Sequence, residues 1–380
     1  ADGDVTSNNG SKDYWIVKLD INGDIVWQKS LGGSFGDHAY TVQQTTDGGY
    51  IVSGKTSSND GDVSGNHGGW DIWTIKFDSL GNIIWQKLFG GSGNDIAESI
   101  IQTLDGGYVI AGTSNSSDFD VSGNQGGNDY WIVRLDNMGN IIWEKSLGGS
   151  ESDHAFSIIQ TADGGFTVCG FSFSDDGDVT NNNSIPGFAD FWIVKLGETG
   201  NLIWQNALGG IFDEWASSIK QTTDGGYIVT GYSESDQGDV TENKGGVDYW
   251  ITKLDTAGNL SWQKSMGGSG DDYAKSIIQT NEGEYVISGY SESNDGDVSG
   301  NNGNRDAWIF SLNMSNVYGS VFNDVNETCN LESFEFGIAG IQVSISPGNY
   351  IAEVNSNGLW YMDSLPNGNY TATVDTTNLN

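Results

Sequence analysis

The chain has 380 residues, 36% of them hydrophobic, so it can bury substantial cores; 14 Trp, 15 Tyr and 15 Phe are at odds with a solvated coil. Fifteen Lys and Arg against 51 Asp and Glu give a formal charge of −36, which argues against a nucleic-acid partner and against anionic lipid, because both need clustered cations. Two cysteines exclude a disulfide scaffold, and no apolar run approaches the roughly 20 residues of a membrane span, so membrane insertion is not expected.

In chain order, an Asp-aromatic-Trp triplet stands at Asp13-Tyr14-Trp15, Asp129-Tyr130-Trp131, Asp190-Phe191-Trp192 and Asp248-Tyr249-Trp250, with looser copies at Asp71-Ile72-Trp73 and Asp306-Ala307-Trp308. Successive tryptophans lie 58, 58, 61, 58 and 58 residues apart, the longer step coming from an insertion around Asn181–Gly187. A second tryptophan recurs at Trp27, Trp85, Trp143, Trp204 and Trp262. Such regularity marks a repeat architecture. Each period holds four strand-like runs, which in the second copy are Asp71–Phe77, Ile83–Leu88, Ala97–Thr103 and Tyr108–Thr113. Turns are signalled by Gly81-Asn82 and Gly139-Asn140, and by Asp47-Gly48-Gly49, Asp105-Gly106-Gly107 and Asp163-Gly164-Gly165. No segment has a helical period.

The predicted fold is all-β: a β-propeller of four-stranded blades, five visible repeats of about 58 residues, spanning 1–314. Near-continuous apolar strands such as Ile141-Ile142-Trp143 suit blades covered on both faces. A solenoid of hairpins would bury both faces too, but its usual periods are shorter. Five blades would close with the strands present, whereas six or more would need sequence upstream. The chain opens in mid-motif, which reads as a mature, trimmed or excised protein.

The runs Gly106–Gly112, Tyr130–Asp136 and Gly139–Trp143 resemble the quinoprotein-type propeller repeat, in which a tryptophan docks one blade on the next. Enzymes of that group use a quinone, a calcium site and often a haem-attachment motif. Cys-x-x-Cys-His is missing here, so neither quinone nor haem is expected. The loop Gly-Asp-Val-Ser-Gly-Asn before each triplet is also similar to secreted bacterial tandem-repeat proteins, many of them exported by the type 9 pathway.

After Leu312 the repeat stops. Val321-Phe322-Asn323-Asp324-Val325-Asn326, Glu335-Phe336-Gly337, Asn357-Gly358-Leu359-Trp360-Tyr361 and Leu365-Pro366-Asn367-Gly368 resemble the SdrD-type B repeat, an immunoglobulin-like β-sandwich of bacterial surface proteins. The resemblance implies such a sandwich over 315–380, in truncated form, with calcium held by Asp324, Asn326, Glu332 and Glu335. Thr328-Cys329 replaces the family's usual Asn-Gly, and Glu332 its Asp.

Within the repeats, Asp-Val-[Ser/Thr]-x-Asn loops place carboxylate and amide oxygens close together, which suits Ca²⁺; Asp62, Asn66, Asp120 and Asn124 are typical. The competing reading is that these residues cap their own turns, and it is the favoured one. Nine of the 15 cations occupy two repeated slots, Lys18, Lys76, Arg134, Lys195 and Lys253, then Lys29, Lys87, Lys145 and Lys264. Ion pairs between blades, with repeated acids such as Asp95 and Asp153, would account for them. Three scattered histidines and no nucleophile motif argue against an enzyme. Residues that break the symmetry, Trp70, Trp215, Phe171 and Phe173, together with the insertion, are the candidate ligand face. These features describe a non-enzymatic extracellular or bacterial cell-surface protein, an adhesin-like head for a surface glycan or protein on an Ig-like stalk, with further domains in a longer chain. A secreted polysaccharide-active propeller enzyme and a purely structural spacer are the alternatives.

Overall fold

The computed structural model describes residues 4–5, 7–280, 283–312, 314–320, 342–346, 350–354, 359–366 and 371–374. Strands β1 (Tyr14–Leu19) and β2 (Ile25–Leu31) form sheet I. Sheet II holds β3 (Asp37–Gln44), β4 (Tyr50–Thr56), β5 (Asp71–Phe77) and β6 (Ile83–Phe89). Sheet III holds β7 (Asp95–Gln102), β8 (Tyr108–Ser114), β9 (Asp129–Leu135) and β10 (Ile141–Leu147). Sheet IV holds β11 (Asp153–Gln160), β12 (Phe166–Ser172), β13 (Asp190–Leu196) and β14 (Leu202–Leu208). Sheet V follows with β15 (Glu214–Gln221), β16 (Tyr227–Ser233), β17 (Asp248–Leu254) and β18 (Leu260–Met266). Sheet VI has three strands, β19 (Asp272–Gln279), β20 (Tyr285–Ser291) and β21 (Asp306–Leu312). Each complete sheet is an antiparallel meander, the topology of a propeller blade.

Neighbouring sheets stack through the first strand of one and the first three strands of the one before. The third strands show why both faces of the sequence are apolar. All seven residues of β5, β9, β13 and β17 are buried.

Two indoles per repeat join the stack. The fourth-strand tryptophan lies on the glycine of the next sheet's last turn. A Cβ on Gly81, Gly139, Gly200 or Gly258 would meet Trp27, Trp85, Trp143 or Trp204 at 2.8–3.0 Å. Those glycines also hold φ between +78° and +86°, so a side chain there would fail on both counts. The indole N–H of Trp27, Trp85 and Trp143 donates to the carbonyls of Ser79, Asn137 and Glu198 in the same turns. The third-strand indole is anchored within its own sheet: Trp73, Trp131, Trp192 and Trp250 donate to Gln86, Glu144, Gln205 and Gln263. Its ring packs on the preceding sheet's aromatic, with centroids 4.4–4.7 Å apart in the pairs Tyr14–Trp73, Tyr130–Trp192, Phe191–Trp250 and Tyr249–Trp308.

The expected ring does not close. β20 pairs outward with β21, which takes the place that β1 would fill in a closed five-blade ring. β1 pairs only with β2 among the described strands, and Trp15 is 46% exposed where its interior counterparts are fully buried. Blades of propeller type therefore form an open array. The physical reason is duplication: the chain carries the third-strand sequence at both ends, and the local copy, one loop away from β20, wins the pairing.

In the C-terminal unit β22 (Met314–Ser320) pairs with β25 (Leu359–Pro366), while β23 (Gln342–Ser346) lies between β24 (Tyr350–Glu353) and β26 (Thr371–Val374). β23 alternates exposed and buried residues, with Val343 and Ile345 inside. Asp324, Asn326, Glu332 and Glu335 lie outside the described residues.

Candidate functional site

In sheets II to VI the second residue of the first strand sits directly across from the sixth residue of the second strand. These cross-strand pairs are His38–Lys55, Ile96–Thr113, His154–Phe171, Trp215–Tyr232 and Tyr273–Tyr290. The scaffold around them repeats, but the pairs do not. In sheets IV, V and VI they are aromatic, and they touch from sheet to sheet. Phe171 stacks on Trp215 with centroids 4.1 Å apart and planes 23° from parallel, and Tyr232 meets Tyr273 edge-on at 4.8 Å. Within sheets the spacings are 4.9 Å for His154–Phe171, 5.7 Å for Trp215–Tyr232 and 5.0 Å for Tyr273–Tyr290. Six rings thus run unbroken across three blades.

Charged groups border this run. Lys275 Nζ stands 5.7 Å from the ring centroids of Tyr232, Tyr273 and Tyr290. Arg305 lies 5.0 Å over Tyr290 and bonds Glu292 at 2.6 Å. On the acidic side, Asp213 accepts the Ala189 N–H at 2.8 Å. Burial raises the carboxyl pKa of Asp213, and burial with Asp213 and Asp271 nearby raises that of Glu234. Phe173, 5.4 Å from Phe171, lines an adjoining open cleft of about 690 Å³ with Glu151, Asp175, Pro186 and Gly187. The insertion therefore supplies one wall.

The structure brings Phe171, Phe173 and Trp215 together in one aromatic cluster. Phe171 is buried beneath the stack and Trp215 is half-buried. Trp70 stands apart, over sheet II, edge-on to His38 at 5.5 Å with Lys55 Nζ 4.6 Å from its ring. The sequence reading missed Tyr232, Tyr273, Tyr290 and His154. Aligning the residue after each second-strand glycine (Lys55, Thr113, Phe171, Tyr232, Tyr290) would have found two of them as the variable slot of a repeated frame.

Asp62 and Asp120 accept the Gly32 and Gly90 N–H at 3.1 and 3.3 Å. Asn66 donates to Thr56 O and accepts from Gly68 N; Asn124 does the same with Ser114 O and Gly126 N. Only the Asn66–Gly68 and Asn124–Gly126 bonds are local turn caps; the others tie the loop to residues 10 or 30 positions away. Among the described residues no three His, Cys, Asp or Glu side chains converge to hold a metal.

The cations pair differently from the expectation. Lys76, Arg134, Lys195 and Lys253 meet Asp47, Asp105, Asp163 and Asp224, the turn acids of their own sheets, at 2.6–2.9 Å. The first-strand acids instead sit buried beside a second carboxylate. Asp129 Oδ1 and Asp153 Oδ2 each lie 2.5 Å from the place a Cβ on Gly148 would take, and Asp190 Oδ1 and Glu214 Oε2 do so at Gly209. Only glycine fits between them. Oδ1 of Asp71, Asp129, Asp190 and Asp248 has no hydrogen-bond partner. Burial, with neighbouring carboxylates adding, raises these groups to about 6, 7, 8 and 6.

No family model matches the chain. It is 23% identical over 226 residues to the regulatory protein FlaEY of Caulobacter vibrioides, covering 56% of this chain and 24% of that protein. Against the WD repeat-containing protein L264 of Acanthamoeba polyphaga mimivirus, identity is 27% over 120 residues, 29% of this chain and 9% of the relative. The chain thus spans about a quarter or less of these curated relatives. Among solved structures, BamB from Moraxella catarrhalis aligns with 76% of each chain at 16% identity and a TM-score of 0.33. A candidate exo-β-1,3-galactanase from Bifidobacterium bifidum aligns with 80% of this chain and 93% of its own at 13% identity and a TM-score of 0.36. Likeness at this level carries no argument about activity.

Proposed function

We propose that the protein is a non-enzymatic binding head, displayed outside a bacterial cell on its C-terminal β unit, that holds a glycan along the rings of sheets IV to VI. One observation carries the reading: six aromatic side chains run side by side across three blades at cross-strand positions where the repeat is not maintained. Packing alone would be met by the Ile96–Thr113 pair that sheet III uses. Sugar C–H faces stack on such rings, while Asp213, Glu234 and Glu292 at the border accept hydroxyl donors. Binding to soluble polysaccharides on a glycan array tests this. Trp215→Ala should weaken any hit by about tenfold or more, the loss of one central aromatic anchor. Equal affinity in that variant sinks the proposal.

The raised carboxyls of Asp213 and Glu234 favour a second reading, cleavage of the bound polysaccharide. Release of reducing ends that stops in Asp213→Asn would establish it in place of simple binding.

A further inference from the structure

The first strand of each sheet from II to VI carries a β-bulge at the same place, and the residue left unpaired there differs every time: Tyr40, Glu98, Phe156, Ser217 and Lys275. A bulge adds one residue to one side of a ladder and re-aims its side chain. Contacts place these residues beside the variable cross-strand slot. Phe156 lies 5.6 Å from Phe171, Lys55 Nζ lies 5.5 Å from the ring of Tyr40, and Lys275 reaches Tyr232, Tyr273 and Tyr290. Slot and bulge are thus adjoining rows on one rim.

Two cations on this rim have opposite settings. Burial raises the carboxyl of Glu98, the bulge residue of sheet III, to about 6, and the positive charge of Lys55 on sheet II partly offsets that rise. Lys55 therefore has an acid of the protein beside it. Lys275 stands in the corresponding contact between sheets V and VI and meets three tyrosine rings instead, each centroid 5.7 Å from its Nζ. It is exposed, and among the described residues it has no ion-pair partner. Arg305, which borders the same rings, is already bonded to Glu292 at 2.6 Å. In a chain with 51 acids for 15 cations, the ring-held ammonium at the candidate site is left without an anion.

We propose that Lys275 receives an anionic substituent, a carboxylate or a sulfate, of the glycan held along the rings, so that the ligand is an acidic polysaccharide. This rests on the binding reading above and adds the class of ligand to it. The three ammonium N–H groups are donors for such a substituent, and charge-assisted bonds of this kind are the strong ones. Attraction to the ring faces holds the ammonium in place, which lowers the entropy lost when the ligand arrives. The border acids act elsewhere on the rim. Burial, then Asp271, raises the pKa of the Tyr273 hydroxyl, which sets that acid at the hydroxyl end of the ring; burial, then Arg305, lowers that of Lys275. Acceptors for sugar hydroxyls and a donor for an acid group therefore stand at different points. The net charge of −36 repels polyanions at range, so a preference for an acidic polymer has to be local.

Calorimetric titration of the whole chain with polygalacturonate, its fully methyl-esterified form, dextran sulfate and plain dextran tests this. In at least one of the two pairs the charged member should bind about tenfold more tightly than its neutral partner, and which pair does so separates carboxylate from sulfate. Lys275→Met should remove that preference while leaving the melting midpoint and the binding of the neutral member unchanged, and Lys275→Arg should restore most of it. Lys145→Met removes an exposed cation from the outer strand β10 and should alter none of these. Equal affinity within both pairs overturns the inference, yet leaves the binding head standing if Trp215→Ala still weakens both members. A preference that survives Lys275→Met, or that Lys145→Met removes as well, also overturns it, as does failure of all four polymers to bind.

Discussion

The two ends of each blade solve the problem of burying charge in opposite ways. At the turn end, a nearly buried cation reaches an aspartate that faces solvent: Lys76 to Asp47, Arg134 to Asp105, Lys195 to Asp163. Asp47 is drawn down to about 2 by hydrogen bonds from Thr45, Lys76 and Gly49, and Asp163 also falls to about 2, its bonds to Lys195 and Thr161 outweighing burial. At the loop end, two carboxylates are buried together without a Lys or Arg salt bridge among the described residues, and the third-strand acids Asp71, Asp129, Asp190 and Asp248 rise to about 6, 7, 8 and 6. With 15 cations for 51 acids, the chain spends repeated cations at the turns and leaves hydroxyls, amides and protons to hold the loops. The rings of the candidate site also lie at the loop end, one residue from the buried first-strand acids. The titrating groups and the proposed binding rings therefore share one rim.

The largest test of this contrast is the pH profile of stability. Loop-end groups bind protons more tightly folded than unfolded, so their contribution is complete below about pH 4 and is lost as pH rises through 6–8. Turn-end aspartates work in reverse: their contribution is present above about pH 4 and disappears as pH falls toward 2. Stability should peak near pH 4, with the melting midpoint dropping by about 5–10 °C between pH 5 and 9. A midpoint that climbs across that interval breaks the comparison.

Next in size is removal of a turn-end cation. Arg134 donates to Tyr108 O as well as to both oxygens of Asp105, so Arg134→Met leaves a buried carbonyl with one donor fewer. The expected loss is about 1–3 kcal/mol by chemical denaturation, with the alkaline limb of the pH profile unchanged. A changed alkaline limb would mean that the two rims are coupled.

The skeleton of this arrangement was open to reading from sequence because its signals are local or periodic. Tryptophans 58 residues apart, Asp-Gly-Gly turns and an aromatic before Trp15, Trp131, Trp192 and Trp250 mark strands, turns and the interlocking of sheets. Strand ends in the second repeat came within two residues of those observed, since β7 starts at Asp95 rather than Ala97. Closure could not be read, because it depends on whether β1 or β21 pairs with β20, and the two sequences carry the same Trp-Ile core. The cation partners were misassigned for a related reason: repetition places several acids at each possible spacing, and only register selects the turn aspartate. The site was half legible. Phe171 and Trp215 break the repeat visibly, but Tyr232 and Tyr290 look like ordinary strand residues until cross-strand pairing aligns them with Trp215 and Tyr273.

The smallest expected effect is also the most discriminating. Asp190 carries the highest of the loop-end values, about 8, through burial reinforced by Glu214 and Asp239. Asp190→Asn keeps an oxygen for the Asn183 N–H, which now bonds Asp190 Oδ2 at 2.8 Å, and removes the ionisable proton. At pH 5, where the native group is already neutral, the substitution should change stability by under about 0.5 kcal/mol. At pH 9 it should stabilise by about 1 kcal/mol, because the wild type must then bury a second negative charge beside Glu214. The crossover matters more than either figure: a packing defect costs the same at both pH values, whereas relief of carboxylate repulsion appears only at the higher one. Equal destabilisation at pH 5 and 9 would show that Asp190 is held by its hydrogen bonds alone and that the loop rim carries no titrating pair between sheets IV and V.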